Sequence, residues 1–371
     1  MSTAGPGGGG DRPPDVIVIG GGIVGLSTAW HLAQSGADVR CIERARPGAG
    51  QSAGLTRIFR HVHDTPELVA LARRSLGRWR AWEARSGRQL VGQEGLVYHG
   101  EDAGRALELL RAAQLEADPA DAAAQREALP ILAPPDGEAV LDRGAGAIRV
   151  RRALSLLAGW LGAGLVSAEV FGLRVEGDGV LAHTSEGLVR ASAAVVCAGA
   201  RTATIARSLG LELPVAHSCH LRATFDVRPE ARARSLACWI DRAGAAGDAA
   251  YGSPVGSSGR YAIGLGDPDA NVPVSPEAGT MPAEGDLRPA LERLSALARR
   301  SMPGLDPEPV ALRLCVSTRL PWSDDGFAAW QDGPVTLFAG NNAFKHAPVL
   351  GELLAEAALG GRVPAALEPP A

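Results

Sequence analysis

The chain has 371 residues, a net charge of -4 at pH 7 and 21% charged residues, the composition of an ordinary soluble protein long enough for two domains. Its arginines are spread and mixed with acids, which excludes a basic surface for nucleic acid, and its apolar runs are too short to span a membrane. Five scattered cysteines favour a reducing cytoplasm over a disulfide framework.

The first ordered stretch is expected at Asp15–Glu43, after a Gly/Pro-rich tail over residues 1–14 that we expect to be disordered. An apolar run at Val16–Ile19 meets Gly20, and apolar residues then recur at helical spacing. A second short apolar run, Val39–Ile42, follows. The stretch therefore predicts a βαβ unit of about thirty residues.

The glycines of this unit are spaced as in a dinucleotide-binding turn. Gly20 is placed for the tight turn, Gly22 for close approach of a phosphate and Gly25 for packing of the helix on the strand. The helix N-terminus, at Ile23 and Val24, then offers unpaired N–H groups to an anion. A glycine-rich turn without a ligand is the alternative.

Glu43 ends the second strand of the unit, where it is placed to accept both hydroxyls of an adenosine ribose. A carboxylate there would repel a 2′-phosphate. The unit therefore indicates FAD or NAD.

The later elements follow from periodicity and from capping residues. Those expected before residue 200 are a helix capped by Asp64, begun by Pro66 and ended by Gly87, a strand at Leu90–Tyr98, helices at Asp102–Ala117, Ala122–Leu129 and Arg151–Leu161, and a buried strand at Ala194–Ala198. Those expected afterwards are strands at Leu221–Asp226, Ala237–Asp241, Tyr261–Gly266, Leu312–Ser317 and Val335–Ala339, and helices at Leu287–Arg300 and Pro348–Leu359.

These elements predict an α/β fold in which a Rossmann-like nucleotide-binding domain is joined to a second, mostly antiparallel-sheet substrate domain. The first domain is expected to comprise residues 15–60, 145–215 and 311–371, and the second residues 61–144 and 216–310.

The single lysine and one cluster of histidines and a cysteine are candidate ligand-binding residues. Lys345 is the only lysine among 37 basic residues, which suggests that a compact ammonium is wanted there, retention by chance being the alternative. His217, Cys219 and His220 lie close together, but such neighbours on a strand are usually structural. No metal site is expected.

Several stretches resemble monomeric sarcosine oxidase and its relatives, which include N-methyltryptophan oxidase, pipecolate oxidase and the piperideine-carboxylate oxidase of nikkomycin biosynthesis. Besides the opening unit, they are Thr56–His61, Cys197–Ala200, Leu314–Val316, Phe338–Gly340, Phe344–Lys345 and Gly351–Glu352. The match runs through nearly the whole chain in order.

The resemblance implies FAD in the Rossmann-like domain, with its ring at the domain interface. Cys315 aligns with the cysteine that joins the flavin 8α-methyl through a thioether, an inert cysteine being the alternative. Arg57 corresponds to a residue covering one flavin face, and the N-terminus of the last helix would face the flavin N1–C2=O edge. Further cofactor contacts are expected from Arg44, Ser52, Thr56, Gly199, Gly340, Asn342, Phe344 and Lys345.

The resemblance also implies a substrate site. Arg60 and Lys345 align with two cations that hold the substrate carboxylate, a guanidinium fork and a point charge; surface ion pairing is the alternative for Arg60. Gly264 stands where sarcosine oxidase has the lysine that activates dioxygen, so either dioxygen or another acceptor could reoxidise the flavin.

The expected activity is flavin-dependent oxidation of the C–N bond of a secondary or cyclic amino acid, by a monomeric enzyme acting on a small carboxylated amine. Two alternatives stay open. One is an enzyme like D-amino-acid or glycine oxidase, with noncovalent FAD. The other is a flavin-binding partner subunit without catalysis of its own.

Overall fold

The computed structural model describes residues 13–232, 235–275, 281–323 and 325–370. Residues 1–12 of the predicted tail lie outside the described residues.

Strands and helices follow one another along the described part of the chain. The strands are β1 Val16–Ile19, β2 Val39–Glu43, β3 Thr56–Phe59, β4 Leu96–His99, β5 Ala117–Pro119, β6 Ala139–Asp142, β7 Gly146–Arg149, β8 Leu165–Ser167, β9 Val170–Glu176, β10 Gly179–Thr184, β11 Gly187–Ala191, β12 Ala193–Val196, β13 Ala216–Val227, β14 Cys238–Asp241, β15 Ala250–Pro254, β16 Arg260–Leu265, β17 Val272–Pro273, β18 Leu305–Arg319, β19 Phe327–Asp332 and β20 Val335–Gly340. The helices are α1 Ile23–Gln34, α2 Pro66–Ser86, α3 Ala103–Ala112, α4 Ala122–Ala128, α5 Val150–Leu161, α6 Thr202–Arg207, α7 Pro229–Arg232, α8 Glu284–Ser301 and α9 Ala347–Gly360.

The first sheet has the order β19-β20-β12-β1-β2-β8. Strand β1 is central and fully buried, and it pairs in parallel with both β2 and β12. Both faces of β1 are buried, and its sequence is therefore a continuous apolar run and not an alternating one. Helices α1 and α9 cover the sheet and lie so close together that a Cβ on Gly351 would overlap Ser27.

The second large sheet has the order β17-β13-β16-β15-β14-β4-β6-β5, with β18 also paired to β13. Its pairs are antiparallel except for β4 with β14. Strand β18 runs antiparallel to β13 from Leu305 to Arg319, so the predicted domain boundary between residues 310 and 311 falls inside one strand of this sheet.

Several predicted boundaries differ from the structure: β13 and β18 begin earlier than predicted, at Ala216 and Leu305, and three other differences have a local cause. Helix α2 is capped by Thr65, whose side chain accepts the N–H of Leu68; Asp64 instead pairs with Arg242. The strand expected at Leu90–Tyr98 begins only at Leu96, because Gly95 has a φ of +79° and breaks the extended run. The helix expected at Asp102–Ala117 ends at Ala112, because Gln114 adopts a φ of +57°.

The predicted α/β class is confirmed, with a mostly parallel sheet of Rossmann type, whose edge strand β19 is antiparallel to β20, and a second, mostly antiparallel sheet. Over the residues that the structure describes, no helix combines the length and the apolar character needed to cross a membrane.

Candidate active site

A cavity of about 1030 Å³ begins at the carboxyl ends of β1, β2 and β12 and reaches the second sheet. It is large enough for a cofactor and a small substrate together. The predicted site residues that line it are Gly20, Gly22, Ile23, Val24, Glu43, Arg44, Ser52, Arg57, Arg60, Gly199, Cys315, Gly340, Asn342, Phe344 and Lys345. Gly25 and Thr56 do not line it: Gly25 packs α1 on the turn before it, and Thr56 is buried against Ser253.

One end of the cavity is a turn that only glycine can make. Gly20 has a φ of +105°, and a Cβ there would overlap the carbonyl group of Cys197. A Cβ on Gly25 would overlap the carbonyl oxygen of Gly20. Gly22 is the N-cap of α1 and provides no side-chain cap, so the helix N-terminus opens on the cavity. The Ser52 hydroxyl accepts the Ile23 N–H at 2.9 Å.

Glu43 is held in a fixed position beside this turn. One carboxylate oxygen accepts the N–H of Gly21 at 2.7 Å, and the other accepts the N–H of Ala45 at 2.9 Å. The adjacent Arg44 is exposed, and its Nη1 lies 3.6 Å from Oε1 of Glu169. An open helix N-terminus, side-chain-free glycines and an oriented carboxylate at the end of β2 fit an unphosphorylated adenine dinucleotide such as FAD.

Arg57 lies in the wall of the cavity, where backbone carbonyls accept its hydrogen bonds. Its guanidinium donates to the carbonyls of Thr56 at 2.9 Å, Ala53 at 2.6 Å and Gln51 at 3.3 Å. Burial lowers its pKa to about 10, so it keeps its charge at neutral pH. Gly199, with a φ of +59°, packs against the Gln51 side chain.

Cys315 differs from the other cysteines of the chain, all of which lie in its described part. Cys41, Cys197, Cys219 and Cys238 are buried, whereas Cys315 is partly exposed and lines the cavity. Burial raises the pKa of Cys197 to about 12, which keeps that thiol protonated and unreactive. Cys315 is therefore the cysteine best placed to react with a bound group.

Arg60 is buried and already paired. Its Nη2 donates to the carboxylate of Asp325 at 2.5 Å, and its Nη1 donates to the Val62 carbonyl at 2.6 Å. Asp325 also accepts a hydrogen bond from the Asn342 side chain. Burial alone would raise the pKa of Asp325, but the charges of Arg60 and Lys345 outweigh it and hold that pKa below its ordinary value.

Lys345 is 5% exposed and lies at the same end of the cavity. Its Nζ donates to the Asn342 carbonyl at 3.2 Å, and Asn342 adopts a φ of +52° in the turn that leads into α9. The Trp79 indole donates to the Lys345 carbonyl at 2.9 Å and stacks on Phe344, which fixes the backbone. Burial lowers the pKa of Lys345 to about 7, and the nearby Arg60 adds repulsion.

Two histidines lie behind these cations. The rings of His63 and His346 are 5.3 Å apart, and the Nε2 atom of each has no hydrogen-bond partner among the residues that the structure describes. Burial, with added repulsion from Arg60 and Lys345, holds the pKa of both well below the ordinary histidine value. Both are neutral at pH 7, so the positive charge at this end of the cavity comes from Arg60 and Lys345, with Arg242 nearby, and Asp325 supplies a negative charge.

The sequence-based prediction missed Asp325, Arg222, Tyr251 and Gln51, all of which line the cavity. None belongs to a short motif, and each reaches the site through pairing of strands or loops distant in sequence. The Tyr251 ring also covers Gly264, so that a Cβ there would lie 2.5 Å from the ring. A longer side chain at position 264 would have to displace Tyr251.

The cluster of His217, Cys219 and His220 lies on β13, and His220 projects from the opposite face of the strand to the other two. Among the described residues, no group of three or more His, Cys, Asp or Glu side chains could hold a metal ion.

Two oxidases are among the known proteins to which this chain is similar. Peroxisomal sarcosine oxidase of Homo sapiens is 26% identical over 373 residues, which cover 92% of this chain and 91% of that protein. N-methyl-L-tryptophan oxidase of Yersinia pestis (strain Pestoides F) is 31% identical over 197 residues, 50% of this chain and 53% of the relative.

Solved structures share the fold over almost the whole chain. NikD, described as an unusual amino acid oxidase essential for nikkomycin biosynthesis, has a TM-score of 0.83 and 25% identity, covering 96% of this chain and 97% of that chain. Glycine oxidase from Geobacillus kaustophilus has a TM-score of 0.75 at 20% identity, covering 94% and 95%; it shows the fold alone.

The family match spans residues 15–357 and includes both the dinucleotide turn and the cations at the far end of the cavity. It confirms the resemblance inferred from the motifs, and the protein belongs to the DAO family of FAD-dependent oxidoreductases.

Proposed function

We propose that this enzyme oxidises the C–N bond of a secondary or cyclic amino acid, an N-methyl amino acid or an imino acid, to an imine. One observation carries the proposal: a single cavity has a dinucleotide turn at one end and the two cations Arg60 and Lys345 at the other. The names of sarcosine oxidase, N-methyl-L-tryptophan oxidase and NikD support a small amino acid as the donor.

The cofactor site is assigned to Gly20, Gly22, Ile23, Glu43 and Ser52, with the turn holding the pyrophosphate and Glu43 the ribose. Bound FAD supplies a hydride acceptor, N5, and later passes the electrons to dioxygen or another acceptor.

The carboxylate of the substrate is held by Arg60 and Lys345. Arg60 would offer its Nη atoms in a planar fork, and Lys345 would add a point charge. In the structure Arg60 donates a hydrogen bond to Asp325, so the substrate carboxylate must replace Asp325 as the acceptor of that bond. The positive charges of Arg60 and Lys345, which keep Asp325 ionised, therefore also set the affinity of the site for a substrate carboxylate.

We assign a covalent FAD link to Cys315, which is partly exposed in the cavity wall within the electrostatic influence of Arg57. Its sulfur would join the flavin 8α-methyl carbon. The thiol and the methyl group each lose a proton, and the two electrons that remain are removed by the acceptor of the enzyme.

We further propose that the enzyme works as a monomer in the cytoplasm. Its five cysteines are all unpaired, which suits a reducing compartment.

Anaerobic mixing of the purified protein with N-methyl, cyclic and D-amino acids tests the proposal. We expect the flavin colour to bleach with a carboxylated secondary or cyclic amine and to return when air or an artificial acceptor is admitted. Bleaching by D-amino acids or glycine alone, with flavin released by acid, would favour a D-amino-acid or glycine oxidase. A flavin that no amine bleaches would indicate a partner subunit.

A further inference from the structure

Arg222 is a buried cation that the proposed reaction does not yet use. It is 6% exposed, lies in the middle of β13 and lines the cavity. Its Nη1 donates to the Thr56 carbonyl at 3.2 Å and its Nη2 to the Ser253 hydroxyl at 3.3 Å, while its Nε has no hydrogen-bond partner in the described part of the chain. The guanidinium also lies 5.3 Å from the centre of the Tyr251 ring.

Arg222 and Arg57 form a pair of positive charges without a counter-ion. Both are hydrogen-bonded to the Thr56 carbonyl, and in the described parts of the chain neither guanidinium has a carboxylate partner. His220, on the same face of β13, is neutral at pH 7 and does not change this charge: burial lowers its pKa to about 4, with further repulsion from Arg222 and Arg57. A buried positive charge without a counter-ion is costly, so this pair of arginines points to an anion that enters the cavity.

The strand register places this charge pair beside Cys315. On β13, His220 pairs with Cys315 and Arg222 pairs with Arg313 of β18, so Arg222 lies two residues from the partner of Cys315 and on the same face. Across the other edge, Arg222 pairs with Gly264, where the Tyr251 ring leaves no room for a side chain. Arg222 is therefore the buried cation on this part of the wall.

We propose that Arg222 acts with Arg57 to stabilise negative charge on the flavin ring, and so raises the tendency of the bound flavin to accept electrons. This inference rests on the proposed function, because it takes the ring to lie along the wall that carries Cys315. Fixed donors of this kind act strongly where water is excluded, since they need no reorganisation when the charge develops.

The test uses the holoenzyme and two properties that do not depend on turnover. Sulfite adds its electron pair to flavin N5 and leaves negative charge on the ring, so its Kd reports the stabilisation of that charge. The flavin reduction potential reports the same quantity independently. The variants are Arg222→Met, which removes the charge, Arg222→Lys, which keeps it, and Arg313→Gln, which removes a charge from the register partner that is exposed to water.

We expect Arg222→Met to raise the sulfite Kd about tenfold, equal to about 1.4 kcal/mol. The reduction potential should fall by roughly 30 mV, the equivalent of a tenfold change for a two-electron couple. Arg222→Lys should recover most of both effects. Arg313→Gln should change neither by more than about twofold, because water screens an exposed charge.

Equal sulfite affinity and potential in Arg222→Met and the wild type would overturn the proposal. So would equal losses in Arg222→Met and Arg222→Lys, since shape rather than charge would then be responsible. If both variants fail to bind flavin or to fold, Arg222 is structural and the proposal is again wrong. A wild-type protein that binds FAD but is not bleached by any amine would instead contradict the proposed function.

Discussion

Arg60 and Asp325 are 265 residues apart in the sequence, yet an Nη atom of Arg60 lies 2.5 Å from an Asp325 carboxylate oxygen at the far end of the cavity. The proposed reaction requires Arg60 to bind the carboxylate of the substrate, but in the structure Arg60 already binds the carboxylate of Asp325. Asp325 is therefore expected to compete with acids for Arg60, and its removal should be visible in binding.

Asp325→Asn should tighten the binding of a small unreactive acid such as propionate. The variant keeps the shape of the side chain but removes the charge that competes for Arg60, and a hydrogen bond to a charged group is stronger than one between neutral groups. We expect Kd to fall by roughly three- to tenfold at pH 6, where Lys345 is charged in the wild type. Spectral titration of the bound flavin measures it, and weaker binding at pH 6 would show that Asp325 positions Arg60 instead of competing for it.

The charge of Lys345 should make acid binding depend on pH. Burial brings the pKa of this ammonium down to about 7, so Lys345 is charged below that pH and becomes neutral above it. A bound carboxylate favours the charged form, and affinity should therefore be highest below pH 7 and fall by up to about tenfold per pH unit above it. His63 and His346 stay neutral throughout, since their pKa values are held well below the ordinary value.

Lys345→Met provides the matched test of that dependence. Methionine fills a similar volume without a charge, so the variant should raise KM for carboxylated amines at least about tenfold and remove the pH dependence above pH 7. An unchanged KM would exclude Lys345 from carboxylate binding. A pH dependence that survives the substitution would assign the titration to another group.

In the Cys315→Ser variant, acid precipitation should release the flavin from the protein. In the wild type, acid precipitation is expected to leave a yellow pellet, whereas the variant should give a colourless pellet and a yellow supernatant. Cys197→Ala is the control, because Cys197 also lines the cavity but is buried, with a raised pKa that keeps its thiol protonated. Its pellet should stay yellow. A colourless wild-type pellet would remove the covalent link but not the bound cofactor.

The turn that begins α1 is expected to tolerate no side chain at Gly25. Gly25→Ala should reduce the free energy of unfolding by at least about 2 kcal/mol and impair FAD binding, because the new Cβ would overlap the Gly20 carbonyl. Gly77 lies in α2 with nothing near its Cβ position, so Gly77→Ala should stabilise the protein by about 1 kcal/mol. Thermal unfolding with flavin fluorescence checks both; similar midpoints for the two variants would contradict the packing argument.

The fold could be predicted from the sequence where the signal is local. Strand β1, the glycine turn and α1 follow one another within about twenty residues, and their periodicity and glycine spacing depend only on neighbours. The N-cap of α2 was harder to predict, because Asp64 and Thr65 are both suitable N-cap residues. In the structure Asp64 binds the distant Arg242, and Thr65 caps the helix.

The site could be predicted only in part, for the same reason. Arg57, Arg60 and Lys345 belong to recognisable stretches, but the neighbours that set their charge do not. Asp325 meets Arg60 through a turn after β18, and Arg222 meets Tyr251 through strand pairing with β16. Such contacts depend on the register of distant strands, which a single sequence does not reveal.

The most direct test of the central claim is an anaerobic titration of the flavin with matched pairs of amines, such as proline with pyrrolidine and N-methylglycine with dimethylamine. We predict that at least one amino acid bleaches the flavin completely and that its partner without a carboxylate does so at least about tenfold more slowly at equal concentration, because Arg60 and Lys345 then have no anion to bind. Equal bleaching by both members of a pair, or none by any amino acid, would contradict the account.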